Sequence, residues 1–268
     1  MTRLVGLSMV LVLALAGLAH GQSHGLPDPE QQRTPGIRPD TLEAVFVGAL
    51  EQAHQAEAWA KHDAVEFELK LSLDDQPVRR ISATFDTTSG ARILKLDGQP
   101  LLGHDGEKAW ERPEVESLGD AEVHVRMLGQ LPAFVYRLRE SDLILHTTPP
   151  REIGDRRYFA TSLEQAGSED WRIVLADPHT NLLHAVAYYI GVDEEDEPAF
   201  SPAHAMIAGD YKPLDGVPVA RSWSIWRWSR PRGPVGDGPI GKVEVASVRF
   251  IEAAAERFAA TGDDDDDT

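Results

Sequence analysis

The side chains of this sequence that could do chemistry are ten histidines and a large number of carboxylates. Two pairs of histidines lie close in sequence: His179 and His184 across a predicted turn, and His54 and His62 near a predicted helix end. Neither pair has the H-E-x-x-H spacing that places two imidazoles on one helix face, nor the spacing of a zinc finger. We therefore interpret these histidines as surface residues and predict no metal site.

The sequence gives no clear sign of a catalytic site. It has no complete G-x-x-x-x-G-K-[ST] phosphate-binding loop and no cysteine that could act as a nucleophile. We predict no catalytic residue and no cofactor. An enzyme, such as a hydrolase whose site is assembled from dispersed side chains, is kept as a third hypothesis.

Two acidic segments could bind cations. Residues 192–198 (VDEEDEP) lack the ligand spacing and the glycine of an EF-hand, so we interpret them as a solvated loop. The aspartates at 263–267 repel one another, which predicts a disordered, solubilising tail over residues 259–268.

The overall charge restricts the partners. The formal net charge is −18, and such a surface repels nucleic acid phosphates and anionic lipid headgroups. We therefore expect no nucleic acid partner. The hydrophobic fraction of 42% is sufficient for a real core.

The first residues have the pattern of a secretory signal. Arg3 precedes an apolar run over residues 4–18, and Ala19 and Gly21 form an A-x-G cleavage site. The run is shorter than the roughly 20 residues of a membrane-spanning helix. We expect a signal peptide over 1–21, a proline-rich disordered linker over 22–40, and an exported, periplasmic or secreted protein without a transmembrane segment in its mature form. Because cysteine is absent, we expect neither a disulfide nor a lipid anchor.

The clearest structural element is a hairpin over residues 170–190. Two strand-like runs flank Asp177-Pro178-His179-Thr180-Asn181, whose residue types favour a turn. Both faces of the second run are largely apolar, which predicts cover on both sides of the sheet.

The remaining patterns predict one mostly β domain over residues 41–258. Strands are predicted at 64–73, 79–86, 91–97, 101–102 and 109–110, and two helical patterns at 41–59 and from 120 to a break at Pro132. The first helix should bury a stripe made of Leu42, Val45, Phe46, Ala49, Leu50 and Ala53. Residues 231–239 are predicted to form a loop before a last strand at 242–251.

Alternation in residues 64–73 puts Val65, Phe67, Leu69, Leu71 and Leu73 on one face and charged residues on the other, so the apolar face should turn inward. In the strand over 217–229, Trp226 and Trp228 share one face and Trp223 and Ile225 the other. One of these faces could line a pocket. The candidate cavity residues are Phe67, Leu69, Leu71, Phe85, Trp110, Phe134, Tyr188 and Trp226.

Three segments resemble the periplasmic lipoprotein-carrier (LolA/LolB-like) superfamily: residues 104–110 (HDGEKAW), 176–183 (ADPHTNLL) and 211–219 (YKPLDGVPV). A fourth, residues 130–134 (QLPAF), resembles a segment of its secreted relatives without assigned function. The resemblance implies an α+β, mostly β fold: a curved antiparallel sheet forming an incomplete β-barrel, with helices lidding the concave face. It also implies an apolar cavity that accepts acyl chains.

Two functions follow. The first is an exported soluble protein that binds or carries a lipid or another apolar small molecule without catalysis. The alternative is a scaffold that contacts envelope proteins and has a filled core.

Overall fold

The computed structural model of the protein describes residues 41–74, 76–139, 143–165, 170–190, 203–252 and 258. The predicted signal peptide, linker, acidic loop and acidic tail lie outside these residues.

The strands form a single antiparallel sheet. Their bounds are β1 (Ala64–Leu73), β2 (Arg79–Asp86), β3 (Arg92–Leu96), β4 (Gln99–His104), β5 (Ala109–Glu111), β6 (Leu143–Ile153), β7 (Arg156–Gln165), β8 (Trp171–Ala176), β9 (Leu183–Tyr189), β10 (His204–Leu214), β11 (Val217–Ser229), β12 (Gly233–Val235) and β13 (Gly241–Ile251). The order across the sheet is β5, β4, β3, β2, β1, β13, β11, β10, β9, β8, β7, β6, and β12 pairs with β11. Strands β5 and β6 are therefore the two ends of a sheet that does not close into a barrel. The predicted meander is confirmed, whereas the predicted loop over 231–239 contains the short strand β12.

The helices lie within the two predicted patterns, but the first is interrupted at Gln55, the second ends at Leu128 ahead of Pro132, and the 3-10 helix Pro113–Ala121 was not predicted. Their bounds are α1 (Leu42–Ala53), α2 (Ala56–Trp59) and α3 (Glu122–Leu128), with 3-10 helices at Pro113–Ala121 and Leu131–Arg137. Thr41 caps α1, because its Oγ1 accepts from the N–H of Ala44 at 3.3 Å. Gln55 has a φ of 56° and separates α1 from α2. Pro132 falls in the first turn of the second 3-10 helix, where its missing N–H costs nothing.

The buried face of α1 differs from the predicted stripe. Leu50 of the predicted stripe is fully buried and Phe46 packs against the core, as predicted, whereas Leu42 and Val45 are 63% and 59% exposed. Val47, which lay outside the stripe, is fully buried. The stripe was therefore wrong at Leu42 and Val45, because periodicity alone does not show where the contact with the core is centred.

The main core fills the concave side of the sheet. It unites Leu94 of β3 and Val174 of β8 with Leu50 of α1 and Leu128 of α3 in one cluster. Strands near both ends of the sheet thus pack on the same helices, which requires the sheet to curve around them. The predicted fold, an incomplete barrel with helices on its concave face, is confirmed.

The central hairpin has the predicted turn and the predicted cover. The Asp177 carboxylate accepts from the N–H groups of His179 and Thr180 at 2.9 Å each, and Asn181 has a φ of 56°. On β9, Val186 belongs to the main core, whereas Ala185 belongs to a second cluster on the convex face.

Candidate functional site

The face of β1 that was predicted to turn inward does so. Phe67, Leu69 and Leu71 are each 1% exposed and belong to the main core. On the opposite face the Glu66 carboxylate lies 2.5 Å from the guanidinium of Arg249. Burying such a carboxylate in an apolar core would cost several kcal/mol, so the charge pattern fixes which face of β1 is inside.

The interior behind this face is filled with side chains. The cavity found there has a volume of about 30 Å³ and is lined by His54, Trp59, Phe67, Tyr136, Tyr211 and Trp223, among others. This is roughly the share of liquid volume of one water molecule, about 30 Å³. Among the described residues, this cavity therefore has space for about one water molecule and not for an acyl chain.

His54 is buried at the edge of that cavity, so its interpretation as a surface residue was wrong. Its Nε2 accepts a hydrogen bond from the N–H of Leu183 at 3.0 Å, and its ring is also hydrogen-bonded to the backbone carbonyl of Pro218. Burial lowers the pKa of His54 to about 4, against the effect of the Pro218 bond. The neutral imidazole thus joins the end of α1 to β9 and β11.

A larger cleft lies between the two ends of the sheet. Its volume is about 420 Å³, and its lining comes from β3 to β5 at one end of the sheet and from β6 to β8 at the other, together with the 3-10 helix Leu131–Arg137. We call it the seam cleft. Its defining side chains are Arg92, His104, Phe134, Arg137, Leu163 and Arg172. Pockets that bind small molecules typically have volumes of about 300–1,000 Å³.

The seam cleft combines apolar and cationic side chains. Phe134, Leu143 and Leu163 supply apolar surface, and three arginines supply positive charge. Arg172 is paired across strands with Leu163 and Tyr188, both core residues, so this arginine is on the concave face. Arg92 is likewise paired with Phe85 of the core.

These three arginines were not predicted as site residues from the sequence. Alternation over β3 carries a signal for Arg92, because it shares a face with Leu94. Arg172 carries no such signal, since Trp171, Ile173 and Val174 surround it with apolar residues on both faces.

The predicted cavity residues separate into two groups. The larger group lies in the main core: Phe67, Leu69, Leu71, Phe85, Phe134 and Tyr188. Among these, Phe134 also lines the seam cleft, and Phe67 lines the small cavity. The remaining two, Trp110 and Trp226, are not part of this core.

The predicted inward placement of Trp110 and Trp226 is wrong. Trp226 is paired with Ala205 of the convex cluster, so Trp223 and Ile225 face the main core instead. Trp110 is paired with Gly103 and packs on a small cluster that contains Phe258. It also lines an adjoining cleft of about 260 Å³, which shares Arg92 and Arg172 with the seam cleft. Strand alternation defines two faces but does not say which is concave.

A buried polar cluster forms around Tyr188. Its hydroxyl is hydrogen-bonded to Nδ1 of His124 at 2.7 Å, and the rings of His124 and His204 are 4.7 Å apart. Burial lowers the pKa of His124 to about 3, helped by the nearby His204, and lowers the pKa of His204 to about 4. Both imidazoles are therefore neutral at pH 7, and burial raises the pKa of Tyr188. Burial in this cluster therefore favours the uncharged forms of His124, Tyr188 and His204.

Among the described residues, no group of three or more His, Asp or Glu side chains is arranged to hold a metal ion. The helices in this part of the chain are also too short or too polar to cross a bilayer.

Comparison with known proteins gives similarities of backbone and none of sequence. No family model matches the chain, and no curated protein matches it. A solved LolA superfamily protein from Nitrosomonas europaea is 8% identical, with 79% of this chain and 97% of that protein covered and a TM-score of 0.49. A DUF1329 family protein from Desulfovibrio piger is 8% identical, with coverages of 81% and 96% and a TM-score of 0.49.

A putative outer membrane lipoprotein-sorting protein domain from Vibrio parahaemolyticus is also similar. It is 12% identical, with 78% of this chain and 93% of that domain covered and a TM-score of 0.46. At such identities and TM-scores, the similarities concern the fold and carry nothing about ligand or partner.

Proposed function

We propose that this protein is an exported, non-catalytic binding protein that takes an apolar or amphiphilic ligand, such as one with an acyl chain, in the seam cleft. The observation that supports this function is a cleft of about 420 Å³ at the place where the sheet is left open. Burial of a ligand's apolar surface against Phe134, Leu143 and Leu163 would stabilise the complex by roughly 25 cal/mol per Å² before the costs of association.

The cleft is a better candidate than the interior of the barrel. The cavity beside Phe67 holds about 30 Å³, and a larger ligand there would have to displace the helices from the main core. A ligand in the seam cleft requires no such displacement. We therefore assign the cavity candidates Phe67, Leu69 and Leu71 to packing and retain Phe134 for ligand contact.

The filled interior favours a second candidate function. A scaffold that only presents its surface to other envelope proteins needs a close-packed core, and this conformation has one. The two candidates differ in what the seam cleft does, so a binding experiment at the cleft separates them.

The test is titration of the protein with an uncharged fluorescent apolar probe, phenylnaphthylamine, followed by displacement with dodecanol. We expect probe fluorescence to rise on binding and to fall when dodecanol is added. Leu143→Trp places an indole in the cleft and should weaken probe binding. Val78→Trp is the matched control, because Val78 is 60% exposed and is not part of the cleft.

If the wild-type protein binds no probe while its folding is intact, the binding function is wrong and the scaffold takes its place. If the protein binds the probe and both tryptophan variants behave alike, the ligand is bound elsewhere than in the seam cleft.

A further inference from the structure

The concave face of the sheet carries a buried arginine, Arg172, at the seam cleft. Arg172 is only 3% exposed, and its cross-strand neighbours Leu163 and Tyr188 are apolar or aromatic residues of the main core. Placing a guanidinium on such a face requires compensation for lost hydration. A hydrophobic side chain would pack there without that cost, so an arginine at this place points to a use for its charge.

Two further arginines reach the same cleft from different elements. Arg92 comes from β3, and Arg137 ends the 3-10 helix Leu131–Arg137. Among the described residues that line the cleft, these three guanidinium groups are accompanied by one carboxylate, that of the exposed Glu107. The cleft is therefore locally positive on a chain with a formal net charge of −18. A positive concave site with low-dielectric walls concentrates anions.

These arginines also have structural partners. The Arg92 guanidinium donates to the carbonyl of Gly90 at 3.2 Å, and Glu111 and Asp170 line the adjoining cleft that shares Arg92 and Arg172. Each guanidinium has five N–H donors in a planar fork, so it can hold a structural partner and still donate to a ligand. The fork matches the paired oxygens of a carboxylate or a phosphate.

We infer that the seam cleft recognises the anionic head of an amphiphile, a carboxylate or a phosphate, through Arg92, Arg137 and Arg172, while Phe134, Leu143 and Leu163 contact its apolar chain. This inference rests on the proposed function and adds the chemistry of the head group. Recognition of the head by fixed guanidinium groups orients the ligand, since an uncharged chain alone could slide along an apolar surface.

The test compares probes of equal chain length and different heads by calorimetry: laurate, lauryl phosphate and dodecanol, each below its micelle-forming concentration, and inorganic phosphate alone. We expect both anionic amphiphiles to bind at least about tenfold more tightly than dodecanol, as hydrogen bonds to charged groups warrant. Arg137→Gln should weaken binding of laurate and lauryl phosphate by about tenfold and leave dodecanol unchanged.

Arg80→Gln is the matched control, since Arg80 is an exposed arginine of β2 that is not part of the cleft. It should leave the affinity for every probe unchanged. Because Arg172 is buried and its loss could impair folding, Arg92→Gln serves as the second cleft variant, with circular dichroism as the check on structure.

The outcomes separate the inference from the function on which it rests. If dodecanol binds as tightly as laurate, or if Arg137→Gln and Arg92→Gln fold normally and bind laurate like the wild type, the anionic-head inference is wrong and the proposed function stands. If inorganic phosphate binds as tightly as lauryl phosphate, the assignment to an amphiphile is wrong. If no probe binds, both the inference and the proposed function fail.

Discussion

The imidazole of His54 accepts a hydrogen bond of 3.0 Å from the backbone N–H of Leu183, and this bond joins the end of α1 to the start of β9. Two tyrosine hydroxyls extend the link. Tyr136 donates to the carbonyl of His54 at 3.1 Å, and Tyr211 donates to the carbonyl of Leu183 at 2.7 Å. Since Nε2 can accept only while the imidazole is neutral, the link between helix and sheet depends on the protonation state of His54.

We expect the free energy of unfolding to fall as the pH falls from 6.5 toward about 4. The pKa of His54 is about 4 in the folded protein, against an ordinary value of 6.5, so the unfolded chain binds the proton first. The stabilisation is present above pH 6.5 and is lost progressively below it. For an imidazole whose pKa falls from 6.5 to about 4 on folding, the loss amounts to roughly 3 kcal/mol. His124 and His204, whose pKa values are lowered in the same direction, add to the loss. Urea unfolding at a series of pH values measures it.

The variant His54→Gln measures how much of this pH-dependent loss of stability is due to His54. A glutamine side chain offers one acceptor and one donor at this position but does not titrate, so the variant should lose less stability over the same pH range. His179→Gln, at an exposed position in the turn after β8, should behave like the wild type. An unchanged pH dependence in His54→Gln would assign the effect to the other histidines whose pKa burial lowers, His124, His184 and His204.

The contact between Gly103 and Trp110 gives a second prediction. A Cβ added at Gly103 would lie 2.5 Å from the indole ring of Trp110 and 2.8 Å from the carbonyl oxygen of Arg92. The second atom belongs to the backbone and cannot turn aside. We expect Gly103→Ala to destabilise the protein by ~1–3 kcal/mol, the usual cost of overpacking, measured by urea unfolding.

Gly238→Ala is the control for the loss of a glycine. Nothing lies within 4 Å of a Cβ at Gly238. Its free energy of unfolding should change little or rise slightly, because alanine restricts the unfolded chain more than glycine does. Equal destabilisation of the two variants would contradict the steric account of Gly103.

The strands were the most predictable part of this fold. In β1 the alternation of Phe67, Leu69 and Leu71 with charged residues identifies both the strand and its buried face, since the energetic difference between the two faces is large. In β11 both faces carry tryptophan, and the same alternation leaves open which of Trp223 and Trp226 is inside. The answer depends on the curvature of the sheet, which arises from pairings between distant segments.

The candidate site was less predictable for a related reason. Arg92, Arg137 and Arg172 are far apart in sequence, and they meet because strands near opposite ends of one sheet curve toward each other. His54 shows the same limit. Its partner Leu183 is 129 residues away, so sequence spacing gave no sign that the imidazole is buried.

The last prediction concerns Leu69, which is 1% exposed and lies in the main core next to Phe67 and Leu71 on the inward face of β1. If the interior is filled, Leu69→Trp has no space for its indole and should destabilise the protein by ~1–3 kcal/mol, as measured by urea unfolding. Leu69→Met is the volume-conserving control and should cost less than about 1.5 kcal/mol. Phenylnaphthylamine binding should be unaffected in Leu69→Met, because Leu69 is not part of the seam cleft. A Leu69→Trp variant that is as stable as the wild type but no longer binds the probe would show that the barrel interior opens in solution, and the ligand would then belong among the core residues instead of at the seam.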